Sequence, residues 1–353
     1  MKKFFSVIFK TIVWAVAGIA ALLILALVLL YVPAVQDFAV RQALKSVNAS
    51  GSMHIGVKSL RLSFPLRLQA DSLSMQTSGM DVAAAQAHLK VAVLPLLKGT
   101  AQVEYIDLDG ARVNIGTPDS TLYMRASLAT ASITDAAVGL LSQDVTIDRL
   151  QAADGNINLV ITPDTIPPPV KQSEPVKWKI SLAHASLRRI EYGMEMLPTI
   201  ASLQCSLPQA TLSDGTIDLG AGTINVTELA VDSVDARYLV PTPEYIAAHP
   251  LPQVKAPADT APSVPWIIRA TRLRLTGAHG IYAAEGAVPS EYFDPSYIEA
   301  SEINLAVDSF YNRGAEITVP LRRLSARERC GVALDLSGTF AMDSTAMYAR
   351  SFK

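Results

Sequence analysis

Residue types able to carry catalysis or hold a metal are sparse in this chain. Five histidines, His54, His88, His184, His249 and His279, are scattered, and none lies in HExxH spacing. Cys205 and Cys330 each stand alone in alternating apolar and polar sequence, so no CxxC pair and no Cys/His zinc cluster is present. In an oxidising compartment the two allow one long-range disulfide; reduced, they are small buried thiols, and the sequence leaves both readings open. There is no GxSxG nucleophile elbow, no Walker-type phosphate loop and no glycine-rich dinucleotide fingerprint. The basic run Arg322–Arg329 follows Ile317, Val319 and Leu321, so it reads as a strand carrying solvated or edge charges. Asn48 and Asn225 begin glycosylation tripeptides, which arise often by chance. The expectation is a non-enzyme with no catalytic residue, no metal and no cofactor.

Function must then come from the elements themselves. A formal charge of −2 and a pI of about 6.2 give no electrostatic footprint for nucleic acid. Apolar residues make up 50% of the 353-residue chain and charged ones 18%, against roughly 25% charged in an ordinary soluble domain. Part of that bias is the uncharged run from Thr11 to Val32. At about 1.5 Å per residue it spans about 33 Å, enough for a hydrocarbon core, and it is longer than a secretory signal's apolar region. Lys2, Lys3 and Lys10 load the short N-terminal side, so that end is expected in the cytoplasm and the bulk across the membrane.

Beyond the anchor, "AVQDFAVRQALKSVN" has Val35, Phe38, Ala39, Val40, Ala43, Leu44 and Val47 at helical spacing, which predicts a short amphipathic helix. From Gly51 the period changes to two. "LRLSFPLRLQ" puts Leu60, Leu62, Phe64, Leu66 and Leu68 on one face, with Pro65 on the other marking an edge strand or bulge. "AHLKVAV" continues with Leu89, Val91 and Val93, and "GVALDLSGTFAM" with Val332, Leu334, Leu336, Phe340 and Met342. The body is all-β, its strands apolar on one face and wet on the other. Asp109-Gly110, Asp154-Gly155 and Asp214-Gly215 stand between apolar runs, which predicts hairpin turns.

Repetition is visible too. Two Pro-rich stretches, 161–177 and 240–265, are each followed at once by a Trp-led strand beginning at Trp178 or Trp266. Aligned on the Trp, Ile180 and Leu182 match Ile268 and Ala270, then the phase slips by one to Ala185 and Leu187, matching Leu273 and Leu275. A shared slip predicts a shared bend. The pentapeptide LAVDS follows in each unit, as Leu229–Ser233 and Leu305–Ser309. It reads as a strand with Leu and Val on one face, ended by Asp-Ser, recurring because the architecture recurs. The organisation expected is a cytoplasmic end 1–10, a transmembrane helix 11–32, the amphipathic helix 33–50, and β segments 51–160, 178–239 and 266–353 separated by the Pro-rich loops.

The stretches "LLYVPAVQDFAVRQAL", "IGVKSLRLSFP", "LPLLKGTAQVEYIDLDGARVNI" and "FDPSYIEASEINLAVDSFYNRG" resemble the AsmA-like superfamily, and most closely its TamB (translocation and assembly module) members. The resemblance implies a long curled sheet, a β-taco, whose hydrophobic groove conducts phospholipids from the inner toward the outer membrane of a diderm bacterium. It also implies an alternative: assembly of outer-membrane β-barrel proteins with an Omp85-type partner. Such proteins are usually longer, so an N-terminal portion is expected here.

An apolar sheet face without covering helices leaves a trough if the sheet curls, and ordinary core if a second sheet closes on it. The expected groove-facing residues are Leu60, Leu62, Phe64, Leu66, Leu68, Leu89, Val91, Val93, Ile180, Leu182, Leu229, Val231, Ile268, Leu305, Val307, Val332, Leu334 and Leu336.

Overall fold

The computed structural model describes residues 32–48, 53–64, 66–77, 79–92, 95, 100–118, 122–139, 142–162, 177–197, 201–248 and 265–353. The proposed transmembrane run before Val32, most of both Pro-rich stretches, and Val93 lie outside them. Among the described residues no helix is long and apolar enough to cross a membrane.

The body is all-β, as the period of two predicts: the described residues form sixteen strands in one sheet. Helix α1 (Pro33–Asn48) comes first. The strands are β1 (Met53–Gly56), β2 (Ser59–Ser63), β3 (Arg67–Thr77), β4 (Met80–Val91), β5 (Thr100–Ile115), β6 (Leu122–Gly139), β7 (Asp144–Ile161), β8 (Lys179–Met196), β9 (Ala201–Asp218), β10 (Thr223–Asp232), β11 (Asp235–Val240), β12 (Ile267–Ala284), β13 (Tyr297–Arg313), β14 (Glu316–Glu328), β15 (Ala333–Met342) and β16 (Met347–Arg350). A short helix α2 (Pro243–Ala248) interrupts what reads in sequence as a Pro-rich loop. Neighbours pair antiparallel except at two joints, β7 with β8 and β10–β11 with β12, which are parallel. Those joints coincide with the Pro-rich stretches, because a parallel partner needs a long return connection.

"LRLSFPLRLQ" is not one strand. It is a hairpin with Leu62 opposite Leu68 and Leu60 opposite Ala70. Partners directly opposite share a face, so the alternation survives the reversal. Pro65 cannot donate to a ladder, and the chain reverses between Ser63 and Arg67, which pair with each other. Phe64 falls in that turn and is 80% exposed.

The Asp-Gly pairs likewise are not hairpin turns. All three lie inside strands, with left-handed φ at Gly110 (60°), Asp154 (56°) and Asp214 (51°). Asp and Gly tolerate that conformation, and here it breaks a strand's regularity without reversing it. These residues join others in two lines across the sheet. Seam one carries Ser72, Gly110, Asp154, Arg189, Ser233, Gly277 and Glu302; seam two carries Asp135, Asp214 and Ser309. Pairing skips each line and resumes in register, as in Thr130↔Ala153 then Leu128↔Gly155, and Leu182↔Gly215 then His184↔Ser213. On β7 the seams fall at Asp148 and Asp154, so the strip between them is about 20 Å wide.

The phase slip shared by the Trp-led strands sits on seam two, at Ala183 and Thr271, which the ladders skip. Both copies of LAVDS occupy the strip between the seams. Their strands run in opposite directions, so Ser233 lies on seam one (φ 56°) and Ser309 on seam two (φ 61°). The two copies are therefore not equivalent positions of one repeat. They are the same solution to crossing the strip and entering a seam.

Helix α1 closes the first edge of the sheet. The Gln36 amide donates to the Leu62 carbonyl (2.7 Å) and accepts from its N–H (3.1 Å). Asn48 does the same to Ile55, at 3.0 and 2.8 Å. Each amide stands in for a missing strand on an edge that would otherwise invite pairing. Val35, Val40 and Leu44 are half-buried, whereas Phe38 is 66% exposed and is not part of that packed face. Gln36→Ala leaves both Leu62 groups without this partner and is expected to cost about 1–3 kcal/mol locally. Faster amide exchange at Leu62, with that at Ile133 unchanged, is the check.

Candidate functional site

The ladders carry apolar residues from strand to strand on one face. One row runs Leu62, Leu68, Leu89, Ile106, Ile133 and Leu150, then Ala185, Leu212, Leu229, Leu273, Val307 and Leu321. A second runs Leu60, Ala70, Ala87, Leu108, Ala131 and Ala152, then Leu187, Ala210, Val231, Leu275, Leu305, Leu324 and Leu336. Both lie in the strip between the seams. Beyond seam two a third row passes Val145, Ile180, Ile217, Ile224 and Ile268.

Every leucine in these rows is half-buried, and the buried members are alanines and Val307. Among the described residues, substantial contacts between elements run only between ladder neighbours and from α1 to β1 and β2.

Polar residues hold the other face. Thr146, Asp148, Arg149 and Gln151 of β7 are exposed, as are Arg269, Arg272 and Arg274 of β12. At several seam crossings two consecutive residues are exposed: Asp148 with Arg149, Arg188 with Arg189, Thr271 with Arg272, Thr276 with Gly277. The apolar residue that follows each pair, Leu150, Ile190, Leu273 or Ala278, is half-buried or buried.

The expected groove residues thus fall mostly together. Leu60, Leu62, Leu68, Leu89, Leu229, Val231, Leu305, Val307 and Leu336 belong to the two rows, and Ile180 and Ile268 to the third. Leu182 pairs with Ile147 beside it, and Val91 with Val103. Leu66 is a half-buried hairpin residue. Two placements need correction: Phe64 projects from the β2–β3 turn, and Val332 precedes β15 and is 52% exposed. Leu334, 39% exposed at the strand's start, keeps the parity of Leu336. Alternation in sequence assigns parity but not where a strand stops. Sequence reasoning missed Ile106, Ile133, Leu150, Leu212 and Leu273, the centre of the first row. Their local alternation is cut short by the seams, and the signal was the pair of polar residues that interrupts it.

A concavity of ≈ 830 Å³ lies on the polar face beyond seam one, lined among others by Arg125, Asn158, Glu191, Gln204, Arg237 and His279. His279 bridges Asp235 and Glu299 at 3.3 Å each. Burial, the largest single influence, pushes its pKa down, and the two carboxylates outweigh it, so the net shift is upward. A raised folded value means this contribution to stability is complete below the unfolded imidazole value of about 6.5 and is lost as pH rises through the folded one. His279→Gln should flatten the pH dependence of unfolding over that window, measured in denaturant at a series of pH values.

Burial also raises the Cys205 thiol, helped by Glu191 and Asp235. Both cysteines are free. Among the described residues no group of His, Cys, Asp and Glu could hold a metal ion. No protein-family model matches the chain, and no curated protein matches it.

Proposed function

We propose that the two seams fold the sheet toward its apolar face, making a trough that carries phospholipid acyl chains along an inner-membrane-anchored periplasmic protein of the TamB type. Where Asp148 with Arg149, Arg188 with Arg189, Thr271 with Arg272 and Thr276 with Gly277 cross the seams, two neighbouring residues face the polar side where the apolar side has none, which makes the polar side the longer, outer surface of the bend. Buried Ile190 and Ala278 sit at seam one on the inner side, where bending would crowd them. The observation that carries the reading is the half-buried state of the row leucines. A second sheet closed over them would remove them from water, as packed interiors do. Left uncovered, two continuous rows of leucine, isoleucine and alanine form an apolar surface longer than monomers ordinarily expose, and such surfaces mark binding sites. Every residue named in the rows is apolar, which suits a hydrocarbon chain and offers no chemistry to transform it. The aqueous concavity on the other face is polar and does not suit an acyl chain.

The test is Ile133→p-benzoylphenylalanine in the full chain, irradiated in membranes. Covalent phospholipid adducts at position 133, and none at the polar-face position 151, support conduction in the trough. Adducts to outer-membrane barrel polypeptides without lipid would support assembly instead and overturn this reading, as would no adduct at all.

A further inference from the structure

We propose that α1 and the β2–β3 turn form a docking surface for an anionic bilayer, seating the first edge of the sheet against the membrane. The inference deepens the conduit reading and rests on its anchored topology. Between Val32 and Arg67 the chain carries Arg41, Lys45, Lys58, Arg61 and Arg67 against the single acid Asp37, whereas the whole chain is −2. Asp37 is spent internally on Arg61, at 2.6 Å. Arg41, Lys45, Lys58 and Arg67 are all exposed.

The aromatic residues lie with them. Phe38 is 66% exposed and Phe64 is 80% exposed. Phe38, Arg41 and Lys45 follow at helical spacing and share one side of α1. The opposite side, with Gln36 and the half-buried Val40 and Leu44, is the one committed to the sheet edge. The Gln36–Leu62 and Asp37–Arg61 contacts tie the start of α1 to the strand that leads into Phe64. Exposed aromatics beside cations fit the headgroup region, where rings sink to the acyl boundary and positive charges meet anionic lipid. The apolar run ending at Val32 delivers α1 to that place.

The first row begins at Leu62, directly under this helix. The surface would therefore bring the mouth of the trough to the bilayer, at the height where acyl chains begin.

The experiment places p-benzoylphenylalanine at Phe38, Phe64 or Tyr348 of the full chain, reconstituted in phosphatidylglycerol-rich or pure phosphatidylcholine nanodiscs. Expected are strong lipid adducts at positions 38 and 64, weaker by about threefold or more without phosphatidylglycerol and again in high salt, as screening requires. Position 348, at the other end of the sheet, should stay unlabelled. Arg41→Glu with Lys45→Glu should lower labelling at 38 with the melting curve unchanged. Equal labelling in the two nanodiscs, or none at 38 and 64, overturns the proposal. An adduct at position 133 reports on the trough separately: its loss with 38 and 64 still labelled supports the docking surface and overturns conduction.

Discussion

Leu150→Asp is expected to abolish lipid adducts at position 133 while leaving the sheet folded. Leu150 lies in the middle of the first row, between Ile133 and Ala185, with seam two on one side and the Ala152 row on the other. It is half-buried. Full burial of a leucine contributes about 1.5–3 kcal/mol, so losing a partial burial costs about 1–2. The new carboxylate on an uncovered face reaches water and stays ionised. In a closed core it would be an unpaired buried charge costing about 3–5 kcal/mol or more. Lipid suffers on both counts, through lost contact with its chain and through a charge set in its path. Occupancy should fall at least tenfold, which needs only about 1.4 kcal/mol. Leu62→Asp asks the same question less cleanly, because Leu62 also carries the Gln36 contacts of the closed edge. Gln151→Asp, one residue on and exposed on the polar face, is the control and should change neither stability nor labelling. Native mass spectrometry of extracted protein and a thermal melt decide between outcomes. Retained lipid, or a melt lowered as far as a core charge requires, removes the trough.

Much of this was legible in sequence because alternation is a local property. Leu229 and Val231, or Ile180 and Leu182, declare a common face without any knowledge of partners. The slip from Leu182 to Ala185, repeated from Ala270 to Leu273, even located seam two. What was not legible depended on which strand lies beside which. Asp154-Gly155 carries the same local preference for left-handed φ whether it reverses the chain or kinks it, and only the continuing ladder Gly155↔Ile190 shows that it kinks. Pro65 signalled an irregularity in "LRLSFPLRLQ", but a bulge and a hairpin break the ladder at the same residue. Phe38 fits the helical period of α1's apolar residues, and its exposure became apparent only once Gln36 was seen to hold the opposite side. The rows themselves are a register effect. Ile106 and Ile133 are unremarkable in their own segments and become a surface only when Ile106 falls opposite Leu89 and Ile133.

Register also makes Gly155 a position where a small change should do heavy damage. A Cβ there would lie 2.5 Å from Leu128 Cδ2, 2.8 Å from Ile190 Cδ1 and 3.2 Å from the Ser127 carbonyl oxygen. Leu128 and Ile190 are its two ladder partners, and they close over the gap where its side chain would stand. Ile190 is 4% exposed, so it has little room to withdraw. Asp154 immediately before is left-handed, and its carboxylate is held by Arg189 at 2.5 and 2.7 Å across the parallel joint. A valine at 155 must push both neighbours, and the backbone with them, at the point where seam one crosses that joint. Overpacking of this kind costs about 1–3 kcal/mol, occasionally more, and Gly155→Val is expected at or above the top of that range. Gly193→Val is the informative contrast on the next strand. Its Cβ meets only the Asn158 amide end, at 2.7 Å, which can rotate aside. Valine suits a strand, so the change should stay within about 1 kcal/mol. Urea unfolding followed by circular dichroism ranks the two. Leu128→Ala combined with Gly155→Val should recover part of the loss, since residues in contact are not additive. If Gly155→Val unfolds at the same urea concentration as the parent, the tight closure of seam one on its apolar side does not exist, and the inward fold of the trough fails with it.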